Sequence, residues 1–419
     1  MQISLPPGSV RPDYSGYNLA NVPWTIQSIL GVKGERVGLP SDALGSVDTA
    51  GIDNVVLLLV DGLGYREWER QSTKGFFGAL SRKGNVRPIT TIFPSTTSAA
   101  LTTLCTGLTP QEHGLPEWYV YLQELGEVIR GLWFNRVGDA VNDTLKGELS
   151  PRALFDGTTI YQRLKREGVV STTVTNRFVV NSVYSKYSRR GAGVATYSSA
   201  SDLTVLLRRL VEGAKGRNYF NVYWSYVDHV EHRDGPNTDE AEVEASLISH
   251  AFEEGFLSKL GRDAARRTLV LVTADHGQVL ATPEELIYTN RLGKLVKAFE
   301  RNPSGKPIPP WGAPRDSYMQ IKKSMLGETQ DYLARKFEGI ATVLKTEDAL
   351  KEGLFGLNGP SAKFRRRIGN LMILPHGTRT IWYRYEKEKP YDLKGHHGGL
   401  SKDEMTIPLA AGRVSDLQG

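Results

Sequence analysis

Three apolar runs in this chain each lead to an aspartate. Asn54–Val60 (NVVLLLV) stops at Asp61-Gly62, Tyr219–Val227 stops at Asp228, and Thr268–Thr273 stops at Ala274-Asp275-His276-Gly277. A continuous, β-branched run has no polar face, so each reads as a parallel strand covered by helices on both sides. In an open parallel sheet the carboxyl ends of the strands share one edge, and ligands bind there. The three strands therefore place three carboxylates together. His229 and His232 follow Asp228, and His276 follows Asp275. A single aspartate at a strand end commonly caps the next turn. Three of them with these histidines point to a metal centre.

The segments between the runs have helical character. Residues 65–83 read as a helix ending at Gly84, and Thr158–Glu167 as one stopped by Gly168. Asp202 opens a helix to about Gly213, and Thr238 opens a longer one to about Leu260. Val169–Thr175 and Glu127–Phe134 read as further strands. This alternation predicts an α/β fold with a largely parallel central sheet sandwiched by helices. With 419 residues, 40% of them hydrophobic, the chain can bury the core of one large domain with an insertion, or of two domains. Residues 1–50 are rich in Pro, Gly and Ser, with a short helix expected near Trp24–Leu30, and form an N-terminal arm. Residues 51–279 and 391–419 form the site-bearing α/β domain. Residues 280–390 lose the alternation and carry Pro303, Pro307, Pro309, Pro310 and Pro314. They read as an inserted cap that shapes the substrate pocket, with helical pieces at 329–335 and 346–351 and a strand at Thr380–Tyr385.

The stretch Thr90–Gly114 supplies a cluster of hydroxyls, Ser95, Thr96, Thr97 and Ser98, ahead of a small-residue helical segment. A threonine at a helix start lies beside free backbone N–H groups and the positive end of the helix dipole, a place that suits a phosphate. The lone cysteine, Cys105, excludes an internal disulfide and a thiolate zinc site. Asp and His donors suit Zn²⁺, Mn²⁺ or Fe²⁺. Asp61, Asp228, His232, Asp275, His276 and one histidine of the tail (His396 or His397) give six ligands, three for each of two metals. Two metals about 4 Å apart can hold the attacking and leaving oxygens of an in-line displacement, and one can activate a threonine hydroxyl.

The set VDGLG, IFPSTTSAALTTLCTGLTPQEHG, DHVEHRDGP, TADHG and GHHGG resembles the alkaline phosphatase superfamily, and within it the nucleotide pyrophosphatase/phosphodiesterase (type I phosphodiesterase) family. The resemblance implies an alkaline-phosphatase-like fold and hydrolysis of phosphate esters through a phospho-threonine. It implies Thr97 as nucleophile and metal ligand, with Thr96 one residue away as the alternative. Asp61, Asp275 and His276 match the ligands of the metal that activates the threonine. Asp228, His232 and His397 match those of the other, with zinc as the first expectation for both. The resemblance breaks at one place. Family members that cleave nucleotide diesters carry an Asn five residues past the histidine of the His-Gly motif, and here that position is Trp118. Asn135, Tyr119 or a residue of the insertion are the candidates to replace that donor.

The expected substrate is a small phosphorylated molecule, nucleotides included. A phosphomonoesterase, a phosphonate hydrolase, or a catalytically inactive metal- or polyanion-binding protein on the same scaffold are the alternatives. The net charge of +6 is expected to sit on a solvated surface rather than to mark a nucleic-acid partner, since the Lys363–Arg367 patch lacks a stacking platform. No stretch reaches the roughly 18 apolar residues of a membrane span. The amino terminus lacks a secretory pattern, which with the lone cysteine gives a cytoplasmic expectation.

Overall fold

The computed structural model describes residues 3–386, 388 and 391–418. Pro390, the expected end of the inserted segment, and Met1 and Gln2 of the N-terminal arm lie outside the described residues. The central sheet has seven strands: β1 (Asn54–Val60), β2 (Asn85–Thr90), β6 (Val170–Asn176), β7 (Gly193–Tyr197), β8 (Asn218–Trp224), β9 (Thr268–Thr273) and the C-terminal strand Thr406–Arg413. Three shorter strands, β3 (Tyr119–Leu122), β4 (Glu127–Arg130) and β5 (Asn135–Arg136), belong to a second sheet.

In the central sheet β9, β1, β8, β6 and β7 run parallel in that order. The C-terminal strand pairs antiparallel between β9 and β2. All seven residues of β1 are buried, as its unbroken apolar sequence requires of a strand covered on both faces. The helices around it share one core with it, including Phe76, Phe77, Leu203, Leu207, Ile248 and Phe252.

The expected helix 65–83 is two helices, Tyr65–Gln71 and Gly75–Lys83. They part at Gly75, whose φ of +62° lies in the left-handed region and interrupts the helical path. Thr238 does cap its helix, which spans Asp239–Gly255. For the helix Ala200–Glu212 the cap is Ser199, which accepts from the N–H of Asp202.

The second sheet is antiparallel. It combines β3–β5 with strands Trp311–Ala313, Asp316–Met319, Ala341–Lys345 and Leu371–Pro375. It therefore draws on residues 119–136 as well as on the 280–390 insertion. The expected strand Glu127–Phe134 ends at Arg130, where the Gly131 N–H turns back to the Trp118 carbonyl. Thr380–Tyr385 is extended only at Ile381–Trp382. The N-terminal arm packs on both regions. Leu19, Val22, Ile26 and Leu30 enter the main core, and Ile3, Leu5 and Val10 lie against the core of the second sheet.

Candidate active site

Asp61 follows directly on β1, and its N–H still pairs with the Trp224 carbonyl at the end of β8. Asp275 and His276 come just past the end of β9, after Ala274. Asp228 arrives differently. Strand β8 stops at Trp224, because β1 offers it no ladder partner beyond Val60, and the chain turns into the helix Tyr226–Asp234. Asp228 lies in the first turn of that helix and His232 one turn on, so their four-residue spacing puts them on one face. Gly62, with φ +79°, lets the two segments meet: a Cβ there would sit 2.9 Å from the Asp228 Cα.

The opposite wall is the helix Thr97–Thr106, with Thr96 at its N-cap. The first backbone bond of this helix runs from the Ala100 N–H to the Thr96 carbonyl, so the N–H groups of residues 97–99 precede the ladder. Thr97 Oγ1 lies 3.1 Å from His276 Nε2. The Thr96 hydroxyl instead faces the buried Glu117. The helix start thus points the two adjacent threonines in different directions, Thr97 to His276 and Thr96 to Glu117.

Donor atoms converge on Thr97. His276 Nε2 is 3.6 Å from Asp61 Oδ1 and 3.3 Å from Asp275 Oδ2. Asp228 Oδ1 is 3.3 Å from His232 Nε2 and 3.8 Å from His397 Nε2. The His276 and His397 rings stack with centroids 3.6 Å apart. Each of the three imidazoles makes its Nδ1 bond to a backbone carbonyl: His276 to Gly277 at 3.1 Å, His232 to Gly395 at 2.8 Å and His397 to Ser95 at 3.0 Å. A neutral ring that donates from Nδ1 carries its lone pair on Nε2. The three Nε2 atoms therefore meet the carboxylate oxygens acceptor to acceptor. Asp61 Oδ1 and Asp275 Oδ2 are buried with no hydrogen-bond partner among the described residues. Burial first, and then the nearby Asp275 and Asp228, push the Asp61 carboxyl well above its ordinary range. Burial, and then His276 and His232, hold the His397 imidazole well below its own, so it stays neutral. Such a set of lone pairs is satisfied by a cation, and the fixed Nδ1 bonds are the outer support that metal-binding histidines show.

At this sheet edge two triplets bring their donor atoms within 4.8 Å of one another: Asp61, Asp275 and His276, and Asp228, His276 and His397. The first is the expected set. The second adds His276 to the expected Asp228 and His397, and the expected His232 lies against Asp228 with its Nε2 3.3 Å from Oδ1. His396 is turned away, with its Nε2 on the Leu393 carbonyl at 3.0 Å and its ring on Tyr391.

The strand-end pattern did not point to two contributors. The Tyr223 hydroxyl donates to Asp61 Oδ2, and Gln278 Nε2 donates to Asp228 Oδ1 at 2.6 Å. Tyr223 is detectable only through strand register, which sets it opposite Leu59.

A cavity of about 600 Å³ opens beside Thr97, Asp61 and Asp228. Trp118 lines it and packs edge-on against Trp133 at 5.2 Å. The proposed substitute donors do not reach it. Asn135 is buried between Arg130 and the Val141 carbonyl, and the Tyr119 hydroxyl is bound to Glu388. Among the described residues, those lining it fall between Leu59 and His229, outside the 280–390 segment.

The sequence pattern of type I phosphodiesterases/nucleotide pyrophosphatases matches residues 55–400, from the second residue of β1 to just past the GHHGG tail. The chain belongs to this family. Its members are metal-dependent hydrolases of phosphoric esters, and so is this protein. Among solved structures, murine ectonucleotide pyrophosphatase/phosphodiesterase 5 superposes with a TM-score of 0.63 at 18% identity, over 85% of this chain and 87% of that one. An inactive form of the same murine protein in complex with AMP gives 0.64 at 18% identity, over 87% and 92%. Phosphonoacetate hydrolase from Sinorhizobium meliloti, in complex with phosphonoformate, gives 0.59 at 17% identity, over 85% and 89%. These likenesses fix the alkaline-phosphatase-type fold. No curated protein matches the chain. Among the described residues, no helix is long and apolar enough to cross a membrane.

Proposed function

We propose that this family member hydrolyses small phosphodiesters with Thr97 as nucleophile. The observation that carries the reading is the Thr97 hydroxyl, 3.1 Å from His276 Nε2 at a helix start and open to the cavity. Asp61, Asp275 and His276 would hold one divalent ion, and Asp228, His232 and His397 a second, with zinc the first candidate and Mn²⁺ or Fe²⁺ the others. When bound, such ions acidify a hydroxyl and neutralise charge on a phosphoryl group. The Thr97 oxygen forms a bond to phosphorus as the bond to the leaving oxygen breaks, and the hydroxyl proton ends on the leaving group. Water then cleaves the phospho-threonine, restoring the hydroxyl and releasing a phosphomonoester. The free N–H groups of residues 97–99 lie where the phosphoryl oxygens gain charge. Tyr223 and Gln278 hold Asp61 and Asp228 in place. Nucleotide esters are candidate substrates through the AMP complex of the murine relative. The cytoplasm is the proposed location.

The test is turnover of bis(p-nitrophenyl) phosphate with Zn²⁺ or Mn²⁺, together with elemental analysis. Thr97→Ala is expected to abolish turnover while keeping two ions per chain, and Thr96→Ala to remain active. Full turnover by Thr97→Ala overturns the assignment.

A further inference from the structure

The cavity beside Thr97 runs along the helix that carries it. Thr97, Leu101 and Cys105 line it at four-residue intervals and so share one helix face. Cys105 marks an inner end about 12 Å from Thr97 at the α-helical rise. Tyr161 and Arg189 line the cavity at that end: the Tyr161 phenol is close enough to the Cys105 thiol and to the Arg189 guanidinium to feel the charge of both.

These two side chains keep donors in reserve. Arg189 Nε donates to the Ser185 carbonyl at 2.7 Å and Nη2 to the Val180 carbonyl, whereas Nη1 is buried without a partner. Tyr161 is only 3% exposed, with its ring stacked on Tyr219 at 5.9 Å. Among the described residues its hydroxyl has no hydrogen-bond partner. Neighbouring hydroxyls are committed: Tyr184 is paired with Thr102 at 2.9 Å, and Ser188 donates to the Ser185 carbonyl at 3.3 Å.

The charge at this end is also uncompensated. The carboxylates in the lining, Asp61 and Asp228, both stand at the sheet edge with the reacting residues. Two further arginines, Arg163 and Arg190, act on Cys105. Among the described residues none of the three guanidiniums has an ion pair. Arg163 donates to the Thr158 and Thr106 carbonyls and to Gln27, and Arg190 to the Gly157 carbonyl. Burial holds Arg163 and Arg189 below their ordinary range, and Glu35 opposes this only at Arg163. Buried cations bound to neutral carbonyls, with donors left over, are completed by an anion.

We propose that the inner end of this cavity receives a second anionic group of the substrate, a carboxylate or a phosphate. The preferred substrates are then phosphodiesters whose retained group carries such an anion about 12 Å from phosphorus. Arg189 and Tyr161 are the specificity-determining residues. The proposal rests on Thr97 as the reacting residue, because the distance is counted from it.

The experiment compares the p-nitrophenyl phosphodiester of 9-hydroxynonanoic acid with that of the corresponding neutral amide, on the Mn²⁺-loaded protein. The carboxylate ester is expected to exceed the amide ester in kcat/KM by at least about tenfold. Arg189→Met and Tyr161→Phe, with folding checked by thermal melts, are expected to bring that ratio towards one. A wild-type ratio near one overturns the proposal, as does a ratio unchanged in both folded variants. Inorganic phosphate that raises amide-ester turnover in the wild type but not in Arg189→Met would assign this end to a free anion and overturn the substrate class. Calorimetric binding of 9-phosphonononanoate and of nonylphosphonate to Thr97→Ala gives a readout without turnover. If the wild type cleaves neither ester, yet the carboxylate-bearing phosphonate binds more tightly and a further Arg189→Met change removes that preference, the catalytic reading fails and the anion subsite stands.

Discussion

Two groups of buried or half-buried carboxyls lie in this protein, and they have different neighbours. At the sheet edge Asp61, Asp275 and Asp228 face the Nε2 atoms of three histidines and border an open cavity. Behind Thr96, at the junction with the second sheet, Glu117 and Asp316 face each other, near the Tyr318 hydroxyl. Both oxygens of Asp316 and one of Glu117 are buried without a hydrogen-bond partner among the described residues. The nearest cation, Arg315, is already paired with Glu404 at 2.8 Å. Unpaired carboxylate oxygens alone therefore do not define a metal site. Where imidazole lone pairs join them and solvent has access, a cation balances the charge. Where neither is present, a proton does, and burial pushes Glu117 up to about 7 and Asp316 well above its ordinary range.

The sharpest way to break this comparison is to neutralise one carboxylate from each group. Asp275→Asn should lower phosphodiester turnover by about a thousandfold or more and reduce metal per chain in elemental analysis. Asp316→Asn should keep the full metal content. Equal metal loss in both variants would make the two groups one site. The next effect is on stability. Chelation should lower the melting temperature by several degrees, with recovery on adding Zn²⁺ or Mn²⁺, and this response should vanish in Asp61→Asn but persist in Glu117→Gln.

A third test uses pH in the presence of chelator. The folded Glu117 carboxyl titrates above its unfolded value, so its contribution is complete below about pH 4.5 and is lost as pH rises through about 7. The shift corresponds to roughly 3 kcal/mol. Glu117→Gln should flatten denaturant-measured stability between pH 5 and 8 by about that order, and an unchanged slope would remove the proton from the second group. The smallest effect belongs to His396→Gln. This ring is turned from the centre towards Leu393, and kcat/KM should stay within about threefold of wild type.

Much of the fold was legible because its signals are local. The unbroken run of β1 reads as a strand covered on both faces, and the run of β9 repeats the pattern, whereas β8 carries Asn221 and leaves Asn221 and Tyr223 half-buried. The Asp228–His232 pair was legible as a spacing, but its cause was not. The reading carried β8 on to Val227, whereas the strand ends with its last partner on β1, and a helix makes the four-residue interval a shared face. The second sheet was hidden for a related reason. Its strands come from 119–136 and from 311–375, and no local pattern at Tyr119 announces its partner Gly312.

The sequence by itself determined the ligand types, their order along the chain and the strand ends that carry most of them, because these follow from residue chemistry and from the period of the apolar pattern. The family resemblance already favoured Thr97 over Thr96 and His397 over His396; tertiary structure alone decided that Thr97 meets His276, that the His397 ring stacks on it, and where the cavity beside them runs. Adjacent residues in a helix start or a tail loop point in different directions, and a cavity is bounded by segments that meet only when the chain is packed.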